Sequence, residues 1–273
     1  MARIWPLAVA AWVATGVGAQ PAPPTAAATD PVAMGWMQGT PPSAERTIRV
    51  SDGSHYAFPQ WRWSFSNWQQ LFPTVPIRTA GPPSALPRAI RTDLDAIAFT
   101  PMGGAAPMTW GDAFDANFMD GVIVLHRGRV VYQRFAPVLA EDGRHIAWSV
   151  TKSFVGLLAE ALIAEGVLDE TRAAASYVPE LASAGHGDAT VRQLLDMRTG
   201  VAFSEVYGDP ESDISRHAVA GGLFLPPPGM EVPQGFLAFL ETIPKAGPHG
   251  GQMVYRTADT DALAWVIARA TGP

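Results

Sequence analysis

The segment Ser149-Val150-Thr151-Lys152 sets a hydroxyl and an amine three positions apart. On a helix, positions i and i+3 lie one above the other on the same face. A serine hydroxyl is a poor nucleophile until a neighbouring base takes its proton. Lysine can be that base when burial or a nearby positive charge lowers its pKa. Arginine cannot, because it stays protonated in proteins. The lysine is informative in this chain: of 19 basic residues only Lys152 and Lys245 are lysine, and the other 17 are arginine. With 13 serines in 273 residues, composition alone yields about 0.1 such motifs. The structural alternative makes Ser149 a helix N-cap and Lys152 a solvated cation.

A helix must hold the pair. Over Ser149 to Glu165, Phe154, Leu157, Leu158, Ala161 and Leu162 follow the spacing of an apolar stripe, and Gly166 is placed to stop the helix. In helical projection Ser149, Lys152, Ser153 and Gly156 share a face away from that stripe. Ser149 falls at the helix start, where free N–H groups and the dipole favour developing negative charge. Upstream, Gly121 to His126 and Val130 to Phe135 read as strands joined by a turn at Arg127-Gly128-Arg129, a hairpin signal. Downstream, helices are expected over Thr190 to Met197 with Thr190 as cap, over Val232 to Thr242, and over Asp259 to Ala270. Gly200 to Gly229 reads as a Gly-, Pro- and acid-rich irregular region, and Gly250 to Thr257 as an extended approach to the final helix. Strands before helices with long insertions indicate an α+β (mixed α/β) domain.

The rest of the chain sets bounds. It is 48% hydrophobic and 16% charged, with a net charge of −6, so it has material for a core and no basic pull toward nucleic acid. It has no cysteine, which excludes disulfides, thiol nucleophiles and thiolate metal sites. Arg3, an apolar run from Ile4 to Val17, and Val17-Gly18-Ala19 predict an export signal over residues 1–19, cleaved before Gln20. A membrane anchor is the alternative, but the run is shorter than the ~20 residues a spanning helix needs. The product is then exported, periplasmic or secreted, with no stable membrane insertion. Residues 20–45 read as a Pro-, Ala- and Thr-rich linker. Residues 46–120 read as an aromatic-rich extension, in which Trp61, Trp63, Phe65, Trp68 and Phe72 either line a cleft or form a packed lid. The six histidines, His55, His126, His145, His186, His217 and His249, show no metal-ligand spacing and read as surface or loop residues. No G-x-S-x-G elbow surrounds Ser149.

The run Ser149 to Phe154, entered through His145-Ile146-Ala147-Trp148, resembles the nucleophile helix of serine β-lactamases and DD-peptidases. The likeness continues in order through Glu165-Gly166-Val167-Leu168-Asp169, Tyr177-Val178-Pro179-Glu180-Leu181, Thr190 to Leu195 and Thr199-Gly200-Val201. It ends with Val254-Tyr255-Arg256-Thr257, which looks like the family's second motif, and Ala262 to Ile267. Met197 to Val201, Tyr207-Gly208-Asp209-Pro210 and Ser212-Asp213-Ile214 are similar to the esterase and 6-aminohexanoate-dimer hydrolase branch.

The resemblance implies a β-lactamase/transpeptidase-like fold over residues 121–273, an antiparallel sheet flanked by helices with a helical subdomain. It implies Ser149 as nucleophile, Lys152 and Tyr255 as its proton partners, Tyr207 as donor to the leaving amine, and Thr257 as a substrate-binding group in place of the usual Asn or Ser. A phenol titrates near ~10 and a close ammonium favours its phenolate, so the lysine–tyrosine pair would share one proton. The implied function is a serine hydrolase acting on small-molecule esters or amides, with no cofactor and no metal; the oligomeric state is open. Rival readings are a DD-peptidase or β-lactamase, and a non-catalytic penicillin-recognising binding or sensor domain. Arg198-Thr199-Gly200 imitates the family's third motif, Lys-Thr-Gly, but lies before Tyr255 rather than on a late strand. By the same likeness the third motif, a strand and an oxyanion-hole donor would follow Pro273. The domain is therefore expected to be incomplete, its C-terminal strands missing, and the chain to be a fragment whose activity without them is open.

Overall fold

The computed structural model describes residues 24–77, 80–104 and 106–272. The export signal expected over residues 1–19 lies outside them. The described chain forms two compact units, residues 24–146 and residues 147–272. It mixes helices with small antiparallel ladders, as the composition of elements predicts.

In residues 24–146, helical turns α1 (Pro31–Met34) and α2 (Trp61–Ser64) precede a two-residue ladder of β1 (Ala98–Phe99) and β2 (Met108–Thr109). Helix α3 (Trp110–Ala116) follows, then the hairpin of β3 (Gly121–His126) and β4 (Arg129–Phe135). Arg127 and Gly128 at the hairpin turn both have positive φ, 50° and 74°. That is what a two-residue turn needs to match the twist of its strands.

Residues 24–45, read above as linker, carry α1, capped by the Asp30 carboxylate on the Val32 and Ala33 amides. The buried Arg62 holds them, donating to the Ala26 carbonyl at 2.6 Å, to Thr29 Oγ1 at 3.1 Å and to Asp120 at 3.1 Å. Within the aromatic cluster Trp68 stacks on Phe72 with centroids 4.4 Å apart, and Trp61 stacks on Phe65. Helix α3 was not expected, although its start is visible as Thr109-x-x-Asp112. The two side chains form a reciprocal capping box.

In residues 147–272 the elements are α4 (Val150–Ala164), α5 (Val191–Leu195), α6 (Asp213–Ala220), α7 (Phe236–Leu240) and α8 (Thr257–Thr271). Helix α8 is the centre. Its Ala258, Ala262, Leu263 and Val266 are almost fully buried, and it packs on α4, α5 and α7. Leu181, Leu194, Leu240, Val178 and Val191 close the core around it. Each such side chain contributes about 1.5–3 kcal/mol by leaving water. Thr190 caps α5 as expected, and Gln193 completes a reciprocal capping box with it. Helix α6 was missed inside the region read as irregular, where Ser212-Asp213 marks its start.

Helix α4 differs from expectation in its orientation. Phe154, Leu157 and Leu158 are at least half exposed, and Ala161 is exposed as well. The face built into the core is Val155, Ala159 and Leu162, at i, i+4 and i+7. The helix is apolar around most of its circumference from Phe154 to Leu162. Periodicity therefore names a helix without naming the face that its neighbours cover.

Candidate active site

The chain enters α4 through a strained turn. Trp148 has a left-handed φ of 45°, which a bulky side chain rarely adopts. Ser149 takes the cap position, but its side chain makes no capping hydrogen bond. Its Oγ instead accepts from Lys152 Nζ at 2.9 Å. Lys152 Nζ also lies 5.1 Å from the centroid of the Tyr255 ring. Ser149 is exposed, so its hydroxyl is accessible to a reagent.

Tyr255 comes from the segment before α8, and residues 197–202 act as its template. The Arg198 guanidinium donates to the carbonyls of Gly250 and Gly251, both at 2.6 Å. Val254 donates its amide to the Met197 carbonyl, and Ala246 and Gly247 donate to the Gly200 carbonyl. A side chain at Gly200 could not be accommodated, since its Cβ would sit 2.3 Å from the Gly247 oxygen. The Arg198-Thr199-Gly200 run, set aside as an imitation of a strand motif, thus clamps the loop that carries Tyr255.

Two side-chain networks fix this template. The buried Asp259 on α8 accepts from Thr199 Oγ1 at 2.7 Å and pairs with the buried His186 at 3.1 Å. Asp188 pairs with Lys245 and, at 2.9 Å, with His249 Nε2, while His249 Nδ1 accepts from the Gly200 amide at 2.9 Å. The Gly200 contact sets the tautomer, leaving Nε2 as donor to Asp188. Lys245 and then His249 hold the Asp188 carboxyl well below the usual carboxylate range, at about 2.

These partners correct the expectation for the histidines. His55, His186 and His217 are buried, and the His249 side chain is only 5% exposed. His217 stacks on Phe236 and pairs with Asp261 at 2.6 Å. Aromatic stacking and carboxylate pairing make burial of an imidazole tolerable, and neither is visible from sequence spacing. Among the described residues, no group of His, Asp and Glu converges so as to hold a metal ion. No helix there is long and apolar enough to cross a membrane.

The other candidates meet at Glu205. Tyr207 donates its hydroxyl to Glu205 Oε1 at 2.5 Å. The same carboxylate accepts from Thr257 Oγ1 at 2.8 Å and from the Thr257 amide at 2.7 Å. The Thr257 hydroxyl, expected to face substrate, therefore donates to Glu205. Partial burial of its hydroxyl end raises the Tyr207 pKa, and Glu205 and Tyr255 raise it further. Glu205 escaped the sequence reading because its partner Thr257 lies 52 positions away. The structure thus joins Ser149, Lys152 and Tyr255 in one group, and Tyr207, Glu205 and Thr257 in another.

The chain is similar in family and fold to known proteins. The Beta-lactamase family model matches residues 112–273. The 6-aminohexanoate-dimer hydrolase of Paenarthrobacter ureafaciens is 32% identical over 214 residues, covering 78% of this chain and 52% of that protein. A solved structure from Bacillus anthracis, described as a "Putative 6-aminohexanoate-dimer hydrolase", superposes with a TM-score of 0.75 at 26% identity. That match covers 86% of this chain and 60% of the other. The chain spans about half the length of the curated relative it matches.

Proposed function

The chain belongs to the β-lactamase family, and within it we propose a serine hydrolase that cleaves small ester or amide bonds through an acyl-enzyme on Ser149. The observation that carries this reading is the 2.9 Å contact between Ser149 Oγ and Lys152 Nζ, with the Tyr255 ring beside the amine. A serine used only as a cap would point at its own helix amides, and this one points at the lysine.

In the proposed reaction the Lys152–Tyr255 pair accepts the Ser149 proton as Oγ attacks the substrate carbonyl. The helix start favours the negative charge that develops there. As the C–N or C–O bond breaks, an amine leaving group takes a proton from Tyr207. The proton held by the pair then restores the Tyr207 phenol. Water attacks the acyl-serine, the pair takes its proton, and the Ser149 oxygen is reprotonated as the acid leaves. Every proton removed is thus returned.

The name of the curated relative suggests the substrate class, a short linear amide between aminoalkanoate units. Residues 1–19 would export the protein, and N-terminal sequencing of the secreted product should begin at Gln20.

Intact-mass spectrometry after a fluorophosphonate, a p-nitrophenyl ester and a penicillin tests the reaction class. A fluorophosphonate adduct with ester turnover supports the proposal. A stable penicilloyl adduct without ester turnover replaces it with the binding or sensor reading, and rapid penicillin hydrolysis replaces it with the β-lactamase reading. No adduct with any reagent overturns it.

A further inference from the structure

We propose that Glu205 is a positioning residue: it tethers the Tyr207 hydroxyl to the first turn of α8 and thereby tunes the site for amides over esters. The inference rests on the reading of Ser149 as nucleophile and deepens it by assigning the leaving-group side.

Three donors converge on this one carboxylate, the Tyr207 hydroxyl and the hydroxyl and amide of Thr257. Both carboxylate oxygens are used, one of them by the helix amide. The neighbouring backbone is fixed as well. Asp213 at the start of α6 accepts from the Ser204 amide at 2.8 Å and from the Ser204 hydroxyl at 2.9 Å. The Ser204 carbonyl in turn accepts from the Ile214 amide. Glu205 is thus held at its root by α6 and at its tip by α8.

Tyr207 is not held by packing. The residue is 70% exposed, and its hydrogen bond to Glu205 orients the ring. Without the carboxylate the phenol would sample many rotamers, and the share aimed at a leaving group would fall.

The tether fixes the phenol oxygen; the single proton, given to Glu205 at rest, turns about the C–O bond to reach a leaving nitrogen. The groups facing the phenol are Glu205, Tyr255 and the Thr257 hydroxyl, with Lys152 behind the Tyr255 ring. Burial and the two acidic neighbours oppose phenolate formation, while Thr257 favours it. The chemistry of the leaving group makes this matter. An amide nitrogen must be protonated as its bond to carbon breaks, whereas p-nitrophenolate departs unprotonated. A loss of aim at Tyr207 is therefore felt on amides first.

The test compares wild type, E205Q, Y207F and the double variant on a short linear amide and on a p-nitrophenyl ester. We expect E205Q to lose about 10–100-fold in kcat/KM on the amide, as misplacement of a general acid should. The ester should lose no more than about threefold, since its leaving group needs no proton. The double variant should be no worse than Y207F. Ultraviolet titration of the phenols provides a readout independent of turnover. In E205Q one phenol should move down toward the ordinary value of about 10, and that change should vanish when Tyr207 is phenylalanine. Equal losses on ester and amide, or additive losses in the double variant, would overturn the proposal. If wild type forms no Ser149 adduct, the hydrolase reading fails on its own account, and the titration still decides whether Glu205 governs Tyr207. Identical titrations of wild type and E205Q would reject the tether.

Discussion

At the residue scale, the account depends on which group can accept a proton. Lys152→Arg keeps a cation near Ser149 and Tyr255 but removes a group that can lose its proton. It should lower ester turnover by about 10²–10⁴-fold, the range of lost acid–base catalysis, as measured by steady-state kinetics with folding checked by circular dichroism. Activity within a few-fold of wild type would show that lysine is not the base. Ser149 and Lys152 were legible in the sequence because their relation is local, an i, i+3 pair on one helix. Tyr255 needed the likeness to a family, since it reaches the lysine from a loop about a hundred positions away. Glu205 was not legible at all. Its meaning lies in a carboxylate shared by Tyr207 and Thr257, and only the folded chain brings those together.

At the element scale, the loop that carries Tyr255 is as important as the helix that carries Ser149. The backbone at Gly200 passes so close to Gly247 that a methyl group has no room. Gly200→Ala should cost about 1–3 kcal/mol, as overpacking does, seen as a lower denaturation midpoint, and should reduce turnover as the loop shifts. Unchanged stability would mean that the template at 197–202 is soft. Acid should loosen the same loop. Asp188 titrates well below the usual 3.8, at about 2, so it contributes stability above its unfolded pKa and loses that contribution as pH falls toward about 2. The carboxylate is largely exposed, so the effect should stay at or below ~1 kcal/mol. Wild type should exceed Asp188→Asn in stability above the usual carboxylate value of 3.8, and the two curves should converge as pH falls toward about 2; parallel curves would dismiss the pairing. Elements with local signals were read well: the β3–β4 hairpin, the Thr190 cap of α5 and the extent of α4. What stayed hidden was which side of α4 is covered, because Leu157 and Leu158 are as apolar as Ala159 and Leu162. Only the packing of α5 and α8 decides between those faces.

At the scale of the whole molecule, the two units rest on different kinds of core. Residues 147–272 are held by aliphatic burial around α8. Residues 24–146 depend on a buried ion pair, Arg62 with Asp120, which also ties in the segment before α1. Arg62→Met leaves the Asp120 carboxylate buried with its guanidinium partner gone and should cost about 3–5 kcal/mol. Calorimetry would detect this, and a loss below 1 kcal/mol would mean that water or His145 takes over the charge. Composition could not forecast such a core, since the sequence offers 17 arginines and marks none as buried. The family, by contrast, was legible from ordered motifs over residues 121–272, and a matching family model covers residues 112–273. The most direct test of the central claim is rapid acid quench of the enzyme during turnover of a p-nitrophenyl ester, followed by peptide mass spectrometry. The account predicts the acyl mass on the peptide containing Ser149, and its loss in Ser149→Ala. Acylation at another residue, or turnover that persists in Ser149→Ala, would contradict it.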